Sequence, residues 1–177
     1  AHAVASGGGI PSPLPAEIYC HSLTDPSILG PQLRAEGAQT LTLFGLQVPH
    51  RLVADQDRDA ARTALLDAAV SSLDAVLAEP IADCVYEAPD GSPCVEARTT
   101  ADLEESLGMT GGDIFHGSLS WPWAEDEESL ESPAARWGVA TAHPRVLMCG
   151  SGARRGGAVS GLGGHNAAMA ALELLRG

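Results

Sequence analysis

The closing stretch Val146–Gly177, VLMCGSGARRGGAVSGLGGHNAAMAALELLRG, decides how this chain is read. Its order is an apolar strand, a glycine-dense turn and a helix. Val146-Leu147-Met148-Cys149 comes first, and glycines follow at 150, 152, 156, 157, 161, 163 and 164. Ala167, Ala168, Ala170, Ala171, Leu172 and Leu174 then sit on good helix formers. This order places bare backbone N–H groups and a helix N-terminus where an anionic or polar cofactor docks. Glycines there serve close approach or positive φ; a flexible glycine-rich tail is the alternative. A dinucleotide fingerprint wants a third glycine at 155, where Arg155 stands, and Gly156 comes one residue late. It also wants a second parallel strand with an acid about 20 residues on, and only a helix remains. The strand and helix are therefore expected to complete a site built elsewhere.

Outward from that stretch, the order of elements is α+β. Ala1–Pro15 is rich in glycine and proline and reads as irregular. Glu17–Leu23 and Ala38–Val48 read as strands, with Ser27–Gly37 a loop between them. Arg58–Glu79 is the clearest helix. Leu65, Leu66, Ala69, Val70, Leu73, Val76 and Leu77 recur at spacings of three and four, with Asp57 as N-cap and Pro80 as stop. Ile81–Ala88 and Cys94–Arg98 read as strands around the turn Pro89-Asp90-Gly91. Thr100 is expected to cap a short helix to Leu107, without a full capping box because Leu103 holds the third position.

Three segments, in order along the chain, resemble the phytoene desaturase-related FAD-dependent oxidoreductases, the carotenoid and retinoid oxidoreductase group. The first is Ser22-Leu23-Thr24-Asp25-Pro26-Ser27, similar to that family's Pro-Ser-x-x-Asp-Pro-Ser stretch. The second is Gly111-Gly112-Asp113-Ile114-Phe115-His116-Gly117, similar to its Gly-Gly-(Asp/Asn)-Ile-Phe-His-Gly segment. The third joins Cys149-Gly150-Ser151-Gly152, Gly156-Gly157-Ala158-Val159-Ser160-Gly161 and Gly164-His165-Asn166-Ala167-Ala168, similar to the family's ending. The branch that looks nearest is that of pyridine nucleotide-disulfide oxidoreductase domain-containing protein 2. Ala153-Arg154-Arg155 departs from the family's Thr-His-Pro, and Ser132-Pro133 from its Arg-Pro. The family's N-terminal Gly-x-Gly-x-x-Gly unit has no counterpart here.

The resemblance implies an α+β chain with an antiparallel or mixed sheet and packed helices of substrate-domain type, ending in a strand, glycine loop and helix that belong to an FAD-binding domain. Residues 1–16 would be an irregular lead-in, 17–145 the substrate-binding-type domain and 146–177 the returning piece. It implies cofactor contacts from Gly150, Ser151, Gly152, Gly156, Gly157, Val159, Gly161, His165 and Asn166, and substrate contacts from Phe115, His116 and Trp121. FAD would belong to a full-length parent rather than to this chain alone. The implied partners are a missing N-terminal FAD-binding half or a second subunit, and a hydrophobic, polyene-like small molecule; a homo-oligomer stays open. The isolated chain is expected to be inactive. The rival expectation is a non-catalytic binding or assembly module that kept the fold without the cofactor.

Composition narrows the classes. Net charge is −13, all ten cationic residues are arginine, and the only adjacent pair is Arg154-Arg155. Nucleic acid and anionic membrane surfaces need clustered cations and are disfavoured. No apolar run approaches the roughly 18 residues that span a bilayer, and a cytoplasmic location is expected. Cys20, Cys84, Cys94 and Cys149 are scattered without a C-x-x-C pair, which reads as free buried thiols and no metal site. The run Glu125-Asp126-Glu127-Glu128 reads as a solvated loop.

Several single residues have two readings. His116 faces a cavity or stabilises a turn. His165 and Asn166 bond a cofactor or cap the last helix. Trp121 and Trp123 line an apolar pocket or pack a loop. Arg154 and Arg155 pair with an anion or stay solvated. No nucleophile–base pair and no nucleophile elbow is present, so no catalytic side chain is assigned; the redox chemistry would be the flavin's.

Overall fold

Strand β1, Ala16–Tyr19, and strand β2, Thr42–Gly45, form an antiparallel pair with Ile18 opposite Leu43 and Glu17 opposite Phe44. The computed structural model describes residues 1–54, 56–117, 121–124, 126–127, 130–154 and 160–176. The chain divides into two units, Ala1–Ser106 and Leu107–Gly177. It is α+β, with one small two-stranded sheet among the described residues and several helices.

In the first unit, α1 (His2–Ser6) lies in the segment expected to be irregular. β1 stops short of Leu23 because the chain turns into α2 (His21–Thr24). There the buried Ser22 hydroxyl donates to Gln39 Oε1 at 2.6 Å and accepts from Thr40 N at 2.8 Å, tying α2 to the approach of β2. Helix α3 (Pro31–Ala35) occupies part of the expected loop, with proline in its first turn. β2 is only the centre of the expected Ala38–Val48 strand: β1 supplies four residues to pair with, and nothing else extends the ladder. α4 (Arg51–Ala54) precedes α5 (Arg58–Asp74), whose N-cap is Asp57, accepting from Ala60 N at 2.8 Å. α5 ends before Glu79. Leu73 O takes both the Val76 and Leu77 amides, and the Asp74 carboxylate takes the Ile81 amide at 2.8 Å. Leu73 is buried, whereas Val76 and Leu77 are exposed.

The strands expected at Ile81–Ala88 and Cys94–Arg98 are absent. Ile81–Cys84 is a 3-10 turn, and a single bridge joins Glu87 to Pro93 around the Pro89–Gly91 turn. Prolines 80, 89 and 93 have no N–H to give, and a lone hairpin without a third strand is marginal. α6 (Thr100–Leu107) forms where expected, but its cap is one residue earlier. Thr99 Oγ1 accepts from Asp102 N at 3.3 Å, and Asp102 Oδ2 accepts from Thr99 N at 2.7 Å. This is a reciprocal capping box built on Thr99. Val53, Ala61 and Ala101, with Leu65, form the apolar contact between α4, α5 and α6. Three ion pairs border it: His50 with Glu104, Arg58 with Glu105, and Arg62 with Asp102 at 2.8 Å.

In the second unit, α7 (Pro133–Arg136) starts at the Ser132 cap, which accepts from Ala135 N at 3.1 Å. Gly138 at φ 66° reverses the chain after it. Val139, with no exposed surface, then sits in a core of Ala153, Ala167 and Ala170, flanked by Ala134, Trp137 and Leu147. The expected strand Val146–Cys149 is reduced to one bridge, Ala140 to Leu147, backed by Met148 N donating to Val139 O at 2.9 Å. Its apolar run has only this short partner among the described residues, so no ladder propagates. The last helix, α8 (Leu162–Arg176), forms as expected and buries Gly163, Asn166, Ala167 and Ala170.

Candidate functional site

The glycine turn is held from both ends. Ala153 N donates to Gly150 O at 3.1 Å, and Arg154 N donates to Gly138 O at 3.1 Å. Beside it, Asp113 Oδ1 accepts from Phe115 N at 2.9 Å and Asp113 O from His116 N at 2.9 Å. His116 adopts φ 62°, unusual for a side chain of that size. These two loops meet. A Cβ on Gly152 would lie 3.3 Å from His116 Cβ and 3.9 Å from Met148 Sδ. Arg154 Nε donates to Trp121 O at 3.1 Å, which brings the Trp121 segment to the same turn.

The start of α8 packs on the other side of the turn. A Cβ on Gly163 would lie 2.5 Å from Gly150 O, 3.2 Å from Cys149 O and 3.3 Å from Ala153 Cβ. Only a bare α-carbon admits this approach. The glycines thus divide by role. Gly152 and Gly163 are consumed by internal packing. An added Cβ on Gly150 or on Gly161, the latter at φ 74°, would meet nothing within 4 Å, although both carbonyls accept bonds, from Ala153 N and His165 N. Ser151 is half-buried beside them. Gly156, Gly157 and Val159, with Arg155, lie outside the described residues.

His165 and Asn166 do not cap α8. Leu162 N donates to Ser160 Oγ at 3.3 Å, and His165 N already bonds Gly161 O within the first turn. Asn166 is buried against the core, and its Oδ1 faces His165 Nδ1 at 3.3 Å. Phe115, Trp121, Trp123 and Met148 are all exposed.

Sequence reasoning missed Trp137, Arg136 and Glu173. The Trp137 indole meets the His165 ring at 6.0 Å and 72°, and its Nε1–H donates to Glu173 Oε1 at 2.9 Å. Arg136 donates to Glu173 Oε2 at 2.8 Å. These bonds, Trp137's first, hold the Glu173 carboxyl below its ordinary pKa. Trp137 carries no motif, and the only available signal was a tryptophan at the end of a proline-started turn.

Charge is uneven. Leu107–Gly177 carries seven carboxylates and five arginines, against sixteen and five in Ala1–Ser106. The second unit's own net charge is thus −2, against −11 for the first. A cleft of about 380 Å³ lined by His2, Gln47 and Arg51 is built from first-unit residues only and contains none of the candidate residues. All four cysteines are free, but Cys84, Cys94 and Cys149 are exposed and Cys20 half-buried, not buried as expected. Among the described residues no three metal-type side chains gather, and no helix is long and apolar enough to cross a membrane.

The chain is 58% identical over 175 residues to an uncharacterized protein of Mycobacterium tuberculosis strain H37Rv, covering 99% of this chain and 32% of that protein. An uncharacterized Mycobacterium bovis protein matches to the same extent. Pyridine nucleotide-disulfide oxidoreductase domain-containing protein 2 of Rattus norvegicus is 31% identical over 166 residues, covering 91% of this chain and 25% of the rat protein. The chain thus spans about a third of its mycobacterial relatives and a quarter of the rat one. It is distantly homologous to oxidoreductase-domain proteins. No family model and no solved structure matches it.

Proposed function

We propose that this chain is the C-terminal, substrate-side part of an FAD-dependent oxidoreductase of the phytoene desaturase-related group, acting on a hydrophobic, polyene-like substrate in the cytoplasm. The observation that carries the reading is the meeting of the Phe115-His116 loop with the Gly150–Gly152 turn and the start of α8. These segments are separated in sequence, and each was singled out by its likeness to that group. Gly150, Ser151, Gly161 and His165 are the described residues that would hold the flavin. Empty space on the Cβ side of two exposed glycines and a nearly balanced local charge fit the close approach of a phosphate-bearing group. When bound, FAD would supply the redox step. The chain's own residues would orient it, with Phe115, Trp121 and Met148 offering an exposed apolar approach and His116 a polar group beside it.

On this reading residues 17–145 belong to the substrate domain and 146–177 return to the flavin domain, so the chain alone is inactive. The partner is the remaining polypeptide of a longer enzyme or a separate subunit. The outer stripe of α8 fits such a partner: Leu172 and Leu175 are 45% and 85% exposed, and Ala168 is exposed between them and the helix start. A second reading, a non-catalytic module, draws on Arg154, which is committed to the Trp121 and Gly138 carbonyls where the resembled group has Thr-His-Pro.

The test is a chimera in which this chain replaces its matching segment of the Mycobacterium tuberculosis relative. Visible absorption, and fluorescence released on denaturation, measure bound flavin. The expected result is stoichiometric FAD in relative and chimera and none on the chain alone. A relative and a chimera both free of flavin overturn the reading.

A further inference from the structure

α7 ends in Trp137, and its indole lies along α8. One end donates Nε1–H to Glu173, while the ring meets His165 in an edge-to-face contact at 6.0 Å. His165 and Glu173 are eight residues apart, about 12 Å along a helix, so one rigid side chain braces α8 over two turns. Glu173 is itself fixed by Arg136 at 2.8 Å. His165 Nδ1 also lies 3.3 Å from Asn166 Oδ1, and because an amide oxygen only accepts, this contact calls for the Nδ1–H tautomer. A neutral imidazole protonated at Nδ1 carries its lone pair on Nε2.

We propose that Trp137 is a positioning residue for His165: braced by Glu173, it fixes the imidazole in the Nδ1–H tautomer with Nε2 presented as a hydrogen-bond acceptor at the start of α8. The group it accepts from is an N–H or O–H of a ligand seated on the glycine turn. In naming that ligand the inference rests on the flavin reading; the tautomer and the brace do not. Trp137 touches no reacting atom and acts only through His165.

The experiment has two arms. In the first, NMR of the 177-residue chain labelled with 15N-histidine reads the imidazole tautomer at a pH where the ring is neutral. Wild type is expected to show His165 as the Nδ1–H tautomer. Trp137→Leu is expected to give mixed tautomers. Glu173→Gln, which keeps an acceptor for the indole, is expected to remain nearer wild type, and Trp137→Phe, which keeps a ring but loses the N–H, is expected to fall with Glu173→Leu. Glu173→Leu removes the acceptor without altering the ring and serves if Trp137→Leu does not fold. Unchanged His165 signals in Trp137→Leu, or in Glu173→Leu should that be the variant that folds, overturn the proposal.

In the second arm, FAD is the probe in the chimera. Trp137→Leu is expected to weaken its binding about tenfold, and to have no further effect once His165 is alanine. Equal losses with and without His165 refute action through His165. A chimera that binds no FAD, with the NMR result intact, removes the flavin reading and leaves the brace standing.

Discussion

Gly163→Ala tests whether the turn and the last helix are fitted backbone to backbone. The added Cβ would stand 2.5 Å from Gly150 O, where ordinary contact begins at 3.4 Å, and it would also press on Cys149 O at 3.2 Å and Ala153 Cβ at 3.3 Å. The neighbours cannot rotate away. Two are main-chain carbonyls, and the turn they belong to is closed by the Ala153–Gly150 bond and tied by Arg154 to Gly138. Overpacking of this kind costs about 1–3 kcal/mol. Against it, alanine gains up to about 1 kcal/mol over glycine in a helix, partly by restricting the unfolded chain. The net expectation is a loss of about 1–2 kcal/mol. Gly164→Ala is the internal control. Its Cβ would meet Cys149 O at 3.7 Å, an ordinary contact, so it keeps the propensity gain and is neutral or up to about 1 kcal/mol stabilising. Urea midpoints read from tryptophan fluorescence compare both with wild type. A Gly163→Ala midpoint at or above wild type, or an equal fall for Gly164→Ala, refutes the reasoning.

In the first unit, hydrogen bonds from Arg62, then from the Thr99 amide, lower the Asp102 pKa to about 2 from 3.8. A depressed carboxyl adds stability above its unfolded pKa and loses it as pH falls through the folded one. Asp102→Asn is therefore expected to cost about 1–2 kcal/mol at pH 7, allowing for solvent screening, with the deficit closing between about pH 4 and pH 2. A deficit that persists unchanged at pH 2, in urea midpoints at both pH values, counts against the ion pair. In the second unit Val139→Ala removes volume at a fully buried position and is expected to cost about 1–3 kcal/mol. Leu175→Ala, at a position 85% exposed, is expected to stay within about 0.5 kcal/mol in the isolated chain; comparable losses for the two would contradict the assigned core.

The three longest helices, α5, α6 and α8, were legible because their determinants are local, whereas the short α1 to α4 and α7 were not. Asp57, three residues before Ala60, fixes the start of α5, and the Ala- and Leu-rich run after Gly164 fixes α8. Even so, Thr99 rather than Thr100 holds the cap of α6. Both threonines offer a hydroxyl, and the choice fell to the one with an acid three residues on. Strands were less legible. The β-prone residues at 81–88 and the apolar run at 146–149 state a preference for extended chain, but a strand exists only where a neighbour supplies hydrogen bonds. β1 and β2 have that neighbour over four residues each. Residues 146–149 have it at one bridge.

At the candidate site the sequence marked the glycines as a group and could not divide the labour among them. Gly150, Gly152, Gly161 and Gly163 look alike in a motif, yet an added Cβ would press on the chain itself at two of them and meet empty space at the other two. That difference depends on which carbonyl or side chain comes to rest opposite each one, and for Gly152 the partner is His116, far away in sequence. The same distance hid Trp137 and Glu173, which meet across 36 positions. A motif built for close approach therefore cannot be read residue by residue as a ligand list. Substitution at Gly152 or Gly163 presses on the chain's own atoms, and Gly161 at φ 74° disfavours any side chain, whereas an added Cβ at Gly150 meets open space. Loss of flavin in all four variants of a loaded protein is thus ambiguous, and loss at Gly150 or Gly161 with an unchanged urea midpoint is the result that bears on binding.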